Sequence, residues 1–162
     1  MTDKDKEQLE EFLTGPVPIP TVLPGEEPTV KALRLISVNL GLMALAYAIF
    51  YFGPSSFVRS PRPEGYMEQQ ISIVQNIEQI GPIWPFVFAF TGVLIVGSTI
   101  LGRGVIASHG LAAGLWFTYG AAILFSSLAS QPPSPILSGA AALFGAVTHI
   151  GMARAWAGEG VR

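Results

Sequence analysis

From Ile83 to Leu128 the chain reads IWPFVFAFTGVLIVGSTIL, GRG, VIASHGLAAGLWFTYGAAILFSSL, two long apolar runs (83–101 and 105–128) divided only by Gly102-Arg-Gly104. A hydrocarbon core of about 30 Å takes about 20 apolar residues of helix, and each run reaches or approaches that length. A three-residue joint allows only a turn, so the runs must lie side by side and antiparallel. Two more apolar runs, roughly Ala32 to Phe52 and Ile136 to Ala157, extend the pattern in both directions. The loop Ser130-Gln-Pro-Pro-Ser-Pro135 forces the last two runs to pair in the same way. The expected fold is therefore all-α, an integral membrane four-helix up-down bundle with spans at about 32–52, 83–101, 105–128 and 136–157. The place of the first span is open, because the loop after it is long.

Composition agrees. Half of the 162 residues are hydrophobic and 12% are charged, about half the charged share of a soluble domain. The first thirty residues carry Asp3, Asp5, Glu7, Glu10, Glu11, Glu26 and Glu27 against Lys4 and Lys6. Such an acidic arm argues against nucleic acid, which selects basic clusters. Cysteine is absent, which excludes disulfides, thiol catalysis and cysteine metal sites. The polar N-terminus lacks the basic tip and apolar run of a secretory signal, so the first span is expected to act as an uncleaved insertion signal. Lys31, Arg34, Arg103, Arg154 and Arg162 fall on one side of a four-span chain, against Arg59 and Arg62 on the other. By the positive-inside rule both termini are expected to be cytoplasmic, and the expected location is the inner (cytoplasmic) membrane.

Outside the spans, residues 1–31 form an acidic cytoplasmic arm and residues 158–162 a short tail. Thr2 to Leu13 has the capping pair Thr2 and Asp5 and a stop at Gly15, which predicts a short helix. The alternating prolines from Pro16 to Pro24 then predict an extended strip. It is either a stiff linker or a partner-docking strip that displays Val17, Ile19, Val22 and Leu23. Pro28 and Thr29 open the first span, with Thr29 as the expected cap. In the first loop, Tyr66 to Ile80 regains helical periodicity, with Met67, Ile71, Val74 and Ile77 on one face and Glu68, Gln75 and Gln79 on the other. Packing over the outer mouth of the bundle is expected of it, with partner binding or self-association as the alternative. Trp84 sits where an interfacial aromatic belongs.

Small residues mark where helices could approach closely. Gly110 and Gly114 make a GxxxG step, and Ser138, Ala142 and Ala146 a small-residue stripe; spans three and four are expected to pack through them, or else copies of the chain. The polar residues within spans are Asn39, His109, Ser126, Ser127 and His149, with no aspartate or glutamate. That counts against a carboxylate-coupled transporter and against aspartyl or metalloprotease chemistry. No GxSxG surrounds Ser126 or Ser127, and both lie on the opposite side from the histidines, so no catalytic residue, metal ligand or cofactor is assigned. His109 and His149 invite a haem reading, but counting from the span ends separates them by about 6 Å in depth at 1.5 Å per residue. Folding the spans back pairs His109 with the neighbourhood of Arg154, and His149 with that of Leu115 and Trp116. An interfacial His109 among headgroups is expected, and a buried His149 bonded to Tyr119 or Thr148.

The stretch His109-Gly-Leu-Ala-Ala-Gly-Leu-Trp-Phe-Thr-Tyr-Gly120, then Pro132-Pro-Ser-Pro135, Thr148-His149 and Trp156, resembles small four-span membrane proteins encoded by bacteriophages of actinobacteria. The resemblance covers about the C-terminal half and implies an accessory membrane protein made during infection. It supplies no catalytic residues. Three expectations follow. The first is a non-enzymatic accessory or assembly protein that acts through protein contacts, as a homo-oligomer or with a partner. The second is a holin-like protein that permeabilises the membrane by self-association, and the third a haem- or quinone-binding anchor.

Overall fold

The computed structural model describes residues 27–53, 73–130 and 136–160, and these are helical, with no strand among them. The elements are α1 (Pro28–Phe52), α2 (Ile73–Ile80), α3 (Ile83–Leu101), α4 (Val105–Ala129) and α5 (Leu137–Gly158). The predicted helix over 2–13, the strip with Val17, Ile19, Val22 and Leu23, and Met67 and Ile71 lie outside the described residues.

Boundaries follow local chemistry. Pro28 takes the first turn of α1, where its missing N–H is no loss, and Glu27 holds the N-cap position. Thr29 therefore lies inside the helix rather than capping it. Between α3 and α4 the turn needs left-handed backbone at two positions, met by Gly102 (φ 64°) and Gly104 (φ 72°). The amide of Arg103 reaches back to the carbonyl of Ser98 at 3.1 Å and closes the end of α3.

α1, α3 and α4 are long and apolar enough to cross a membrane, the mark of a membrane protein. α5 has the length, at 22 residues, but His149 and Arg154 lower its hydropathy and it is not among them. Large apolar side chains stand exposed on these helices, among them Leu35, Ile49, Ile100, Phe117, Leu128 and Phe144. Water would not tolerate so continuous a surface, and hydrocarbon does.

α1 packs chiefly on α3 and α5 chiefly on α4, and an α3–α4 contact joins the two pairs. Each of these neighbours runs antiparallel to the next. Gly41 meets Gly92 while Phe52 meets Phe86; Ser98 meets Ser108 while Trp84 meets Tyr119; His109 meets His149 while Gly120 meets Gly139. α1 and α4 run parallel and touch through long side chains, Ser37 to His109 at one end and Tyr51 to Tyr119 at the other.

The close approaches occur at other glycines than the GxxxG step. A Cβ on Gly92 would stand 2.8 Å from the carbonyl oxygen of Gly41, and one on Gly120 would stand 3.0 Å from that of Gly139. Cβ atoms on Gly110 or Gly114 would meet nothing within 4 Å, and both residues are exposed, as is Ser138. Ala142 and Ala146 are buried against α4 and belong to the core. The GxxxG spacing correctly marks one face of a helix, but the ridge that fits the neighbouring helix lies on the other side of α4.

Candidate functional site

Four buried polar side chains from three helices form one connected cluster. Ser37 on α1, His109 on α4 and His149 on α5 are each fully buried, and Trp156 on α5 is 1% exposed. Trp156 Nε1 donates to Ser37 Oγ at 2.9 Å, Ser37 Oγ and His109 Nε2 are 2.9 Å apart, and His109 Nδ1 lies 2.9 Å from His149 Nδ1. The indole can only donate, so Ser37 accepts from it, and the hydroxyl can give its own hydrogen to His109 Nε2. With Nε2 accepting, Nδ1 of His109 would carry the proton and donate to His149 Nδ1; with Nε2 donating to Ser37, the His149 Nδ1–H would donate instead. Assigned from the network in either way, every link has one donor and one acceptor, and both rings are neutral. His149 Nε2, at the end of the chain, is buried without a partner.

This geometry corrects the sequence reading of both histidines. His109 is not among headgroups, and neither Tyr119 nor Thr148 bonds His149: Tyr119 Oη pairs with Tyr51 Oη at 2.6 Å, and Thr148 donates to the carbonyl of its own helix at Phe144. The depth count fails because it treated the helix ends as level. Val105 packs with Met152 and Trp156, Trp116 lies against Gly145, and Gly120 lies against Gly139 and Ala142. That register brings His149, not Arg154, to His109, and the rings cover the remaining gap with centroids 5.2 Å apart.

The same contact decides the fit to haem. Two imidazoles that share an iron need their nitrogens about 4 Å apart, because metal–nitrogen bonds are about 2 Å long. Here the facing nitrogens are hydrogen-bonded to each other at 2.9 Å, which leaves no room for a metal between them. No group of three or more histidine, aspartate or glutamate side chains gathers elsewhere among the described residues.

Toward the other end of the helices the interior is aromatic. Phe88 and Trp116 centroids lie 5.2 Å apart, Tyr47 stands edge-on to Trp116 at 5.0 Å, and Tyr119 meets Phe88 at 5.2 Å and Trp84 at 5.0 Å. Trp84, at the start of α3, is buried in this cluster, and its Nε1 donates to the carbonyl of Val74 at 3.2 Å. Ser126 Oγ accepts from the amide of Ile73 at 2.9 Å. These two bonds hold α2 across the ends of α3 and α4, and Val74 and Ile77 pack on the core. The face that the sequence offers to a partner through Val74 and Ile77 is thus turned toward the protein itself.

Sequence reasoning missed Ser37 and the bonding role of Trp156. Serine is too common in apolar helices to stand out, and an indole near a helix end reads as an interfacial anchor. Of the other polar span residues, Ser126 is buried and Asn39 is exposed near the middle of α1. No protein-family model, curated protein or solved structure matches the chain.

Proposed function

We propose that this is a non-enzymatic, multi-pass accessory or assembly protein of the cytoplasmic membrane. In this reading α1, α3, α4 and α5 are the four spans of an up-down bundle, both termini are cytoplasmic, and the protein acts through contacts with other proteins. The observation that carries it is the packing among the described residues: one end of the interior holds the Ser37–His109–His149–Trp156 cluster and the other the aromatic cluster around Phe88. Polar groups that bond one another and rings that pack one another build a rigid unit rather than a path or a reaction chamber. α5 fits as a fourth span because His149, which lowers its hydropathy, is buried against His109 and never meets lipid, while Arg154 lies in the last turns of the helix.

Asn39 supports action through a protein partner. Its amide sits exposed near the midpoint of a helix that is long and apolar enough to cross a membrane, where hydrocarbon offers it no hydrogen bond. A neighbouring helix would supply one. The likeness to phage-encoded four-span proteins is in keeping with this role.

A second reading, the holin-like one, is favoured by the open, outward Gly110 and Gly114, which would let copies approach closely. Membrane potential separates the two. In cells induced to make the full-length protein and followed with a voltage-sensitive dye, potential and growth hold steady if the accessory reading is right. A collapse at a reproducible time after induction would replace it with the holin-like one. A Soret band in the purified protein would instead revive a haem anchor.

A further inference from the structure

A groove of about 510 Å³ opens between α3 and α4 beside the Gly102–Gly104 turn. Its walls are Val93, Leu94 and Gly97 from α3 and Ala107 and Leu111 from α4, its floor includes Ser98 and Ser108, and Arg103 stands at its end. The two serine hydroxyls bond each other at 2.8 Å and also reach helix carbonyls, so the floor presents little unsatisfied polarity. Gly97 has nothing within 4 Å of where its Cβ would be, which keeps the α3 wall low. The result is an apolar trough with a cation at one end, beside the turn that joins α3 to α4.

We propose that this groove holds an anionic phospholipid, with the phosphodiester at Arg103 and one acyl chain laid along Gly97, Ala107 and Leu111. The charge at the turn selects the headgroup. Arg103 lines the groove, and a guanidinium nitrogen of Arg34, on α1, comes 3.9 Å from where a Cβ on Gly102 would be. Guanidinium groups pair with phosphate oxygens through parallel N–H bonds. Glu27, at the start of α1, and Glu159, just after α5, lie at this end of the helices too, but neither lines the groove. The walls select a chain: Val93, Leu101 and Leu111 are exposed and apolar, and the trough runs along the helices as an acyl tail would. The proposal rests on the reading of α3 and α4 as spans, and not on the accessory role.

The test is native mass spectrometry of the full-length protein released from nanodiscs that contain phosphatidylcholine with a minor share of phosphatidylglycerol. The wild type is expected to retain phosphatidylglycerol several-fold above its share. Arg103→Gln should bring retention down to that share, and Gly97→Leu, which fills the trough at a position with open space, should remove retained lipid of both kinds. Circular dichroism checks that both variants keep their helices. Unchanged phosphatidylglycerol enrichment in Arg103→Gln would overturn the proposal. So would an Ala107→Cys variant that cross-links to a second copy in every lipid composition, since the groove would then be an interface between copies, and so would an isoprenoid quinone in place of the phospholipid. Both headgroup layers of a nanodisc are equally accessible, so lipid retention is independent of topology in the cell and of membrane potential. Failure of the lipid proposal and failure of the accessory reading therefore appear in different measurements.

Discussion

Ser37→Ala removes one oxygen and leaves two buried groups, Trp156 Nε1 and His109 Nε2, without a partner. Hydrogen bonds between membrane helices average about 0.6 kcal/mol and reach about 1.7 kcal/mol, so the loss of both links should destabilise the protein by about 1–3 kcal/mol. The denaturant midpoint in mixed micelles should fall accordingly, and an unchanged midpoint would show that the cluster is not a clasp. A double-mutant cycle of His109→Phe and His149→Phe isolates the ring-to-ring bond and should show coupling of about 0.5–2 kcal/mol. Asn39→Leu has the opposite character. Its side chain is exposed, so the change should leave the midpoint unchanged or raise it while weakening association with a partner or a second copy, as read by cross-linking in membranes. Both histidines were conspicuous in the sequence because imidazoles are costly in hydrocarbon. Their meeting was not legible, because a register shift of a few residues between α4 and α5 decides it, and that shift comes from the packing at Gly120, Gly145 and Trp156.

Between elements, glycines define two crossings. Gly92→Ala would push a methyl group to 2.8 Å from the backbone oxygen of Gly41, and Gly120→Ala would bring one to 3.0 Å from that of Gly139. Neither backbone can move without parting two helices. Each substitution should cost about 1–3 kcal/mol, the range for overpacking. Gly110→Ala and Gly114→Ala meet open space and should be neutral or slightly stabilising, because alanine favours helix over glycine by about 1 kcal/mol. Thermal unfolding of the four variants side by side checks this, and equal losses at all four would show that both faces of α4 are packed. The long helices were legible from the sequence, although the first starts at Pro28 rather than at the predicted Ala32. Ile83–Leu101 begins and ends where the apolar run does, and α4 runs one residue beyond its predicted end at Leu128. Apolar length and glycine stops encode that much. Which face of α4 turns inward is encoded less plainly, because a membrane helix is apolar on every side and no polar face marks the exterior.

At the scale of the whole molecule, α5 is the element on which the account turns. Composition alone leaves it short of the other three long helices, while its contacts give it a full-length antiparallel partner in α4 and a hydrogen bond to α1 through Trp156. If α5 crosses the bilayer, the termini share a side and the histidine pair lies within the membrane. The chain has no cysteine, so single cysteines can be introduced and labelled without background. The most direct measurement is labelling of Thr2→Cys, Ser56→Cys and Gly160→Cys variants in intact cells with a membrane-impermeant maleimide. Ser56→Cys should react from outside, while Thr2→Cys and Gly160→Cys should react only after the cells are opened. Labelling of Gly160→Cys from outside, with Thr2→Cys protected, would mean that α5 does not cross, and the four-span bundle would be wrong.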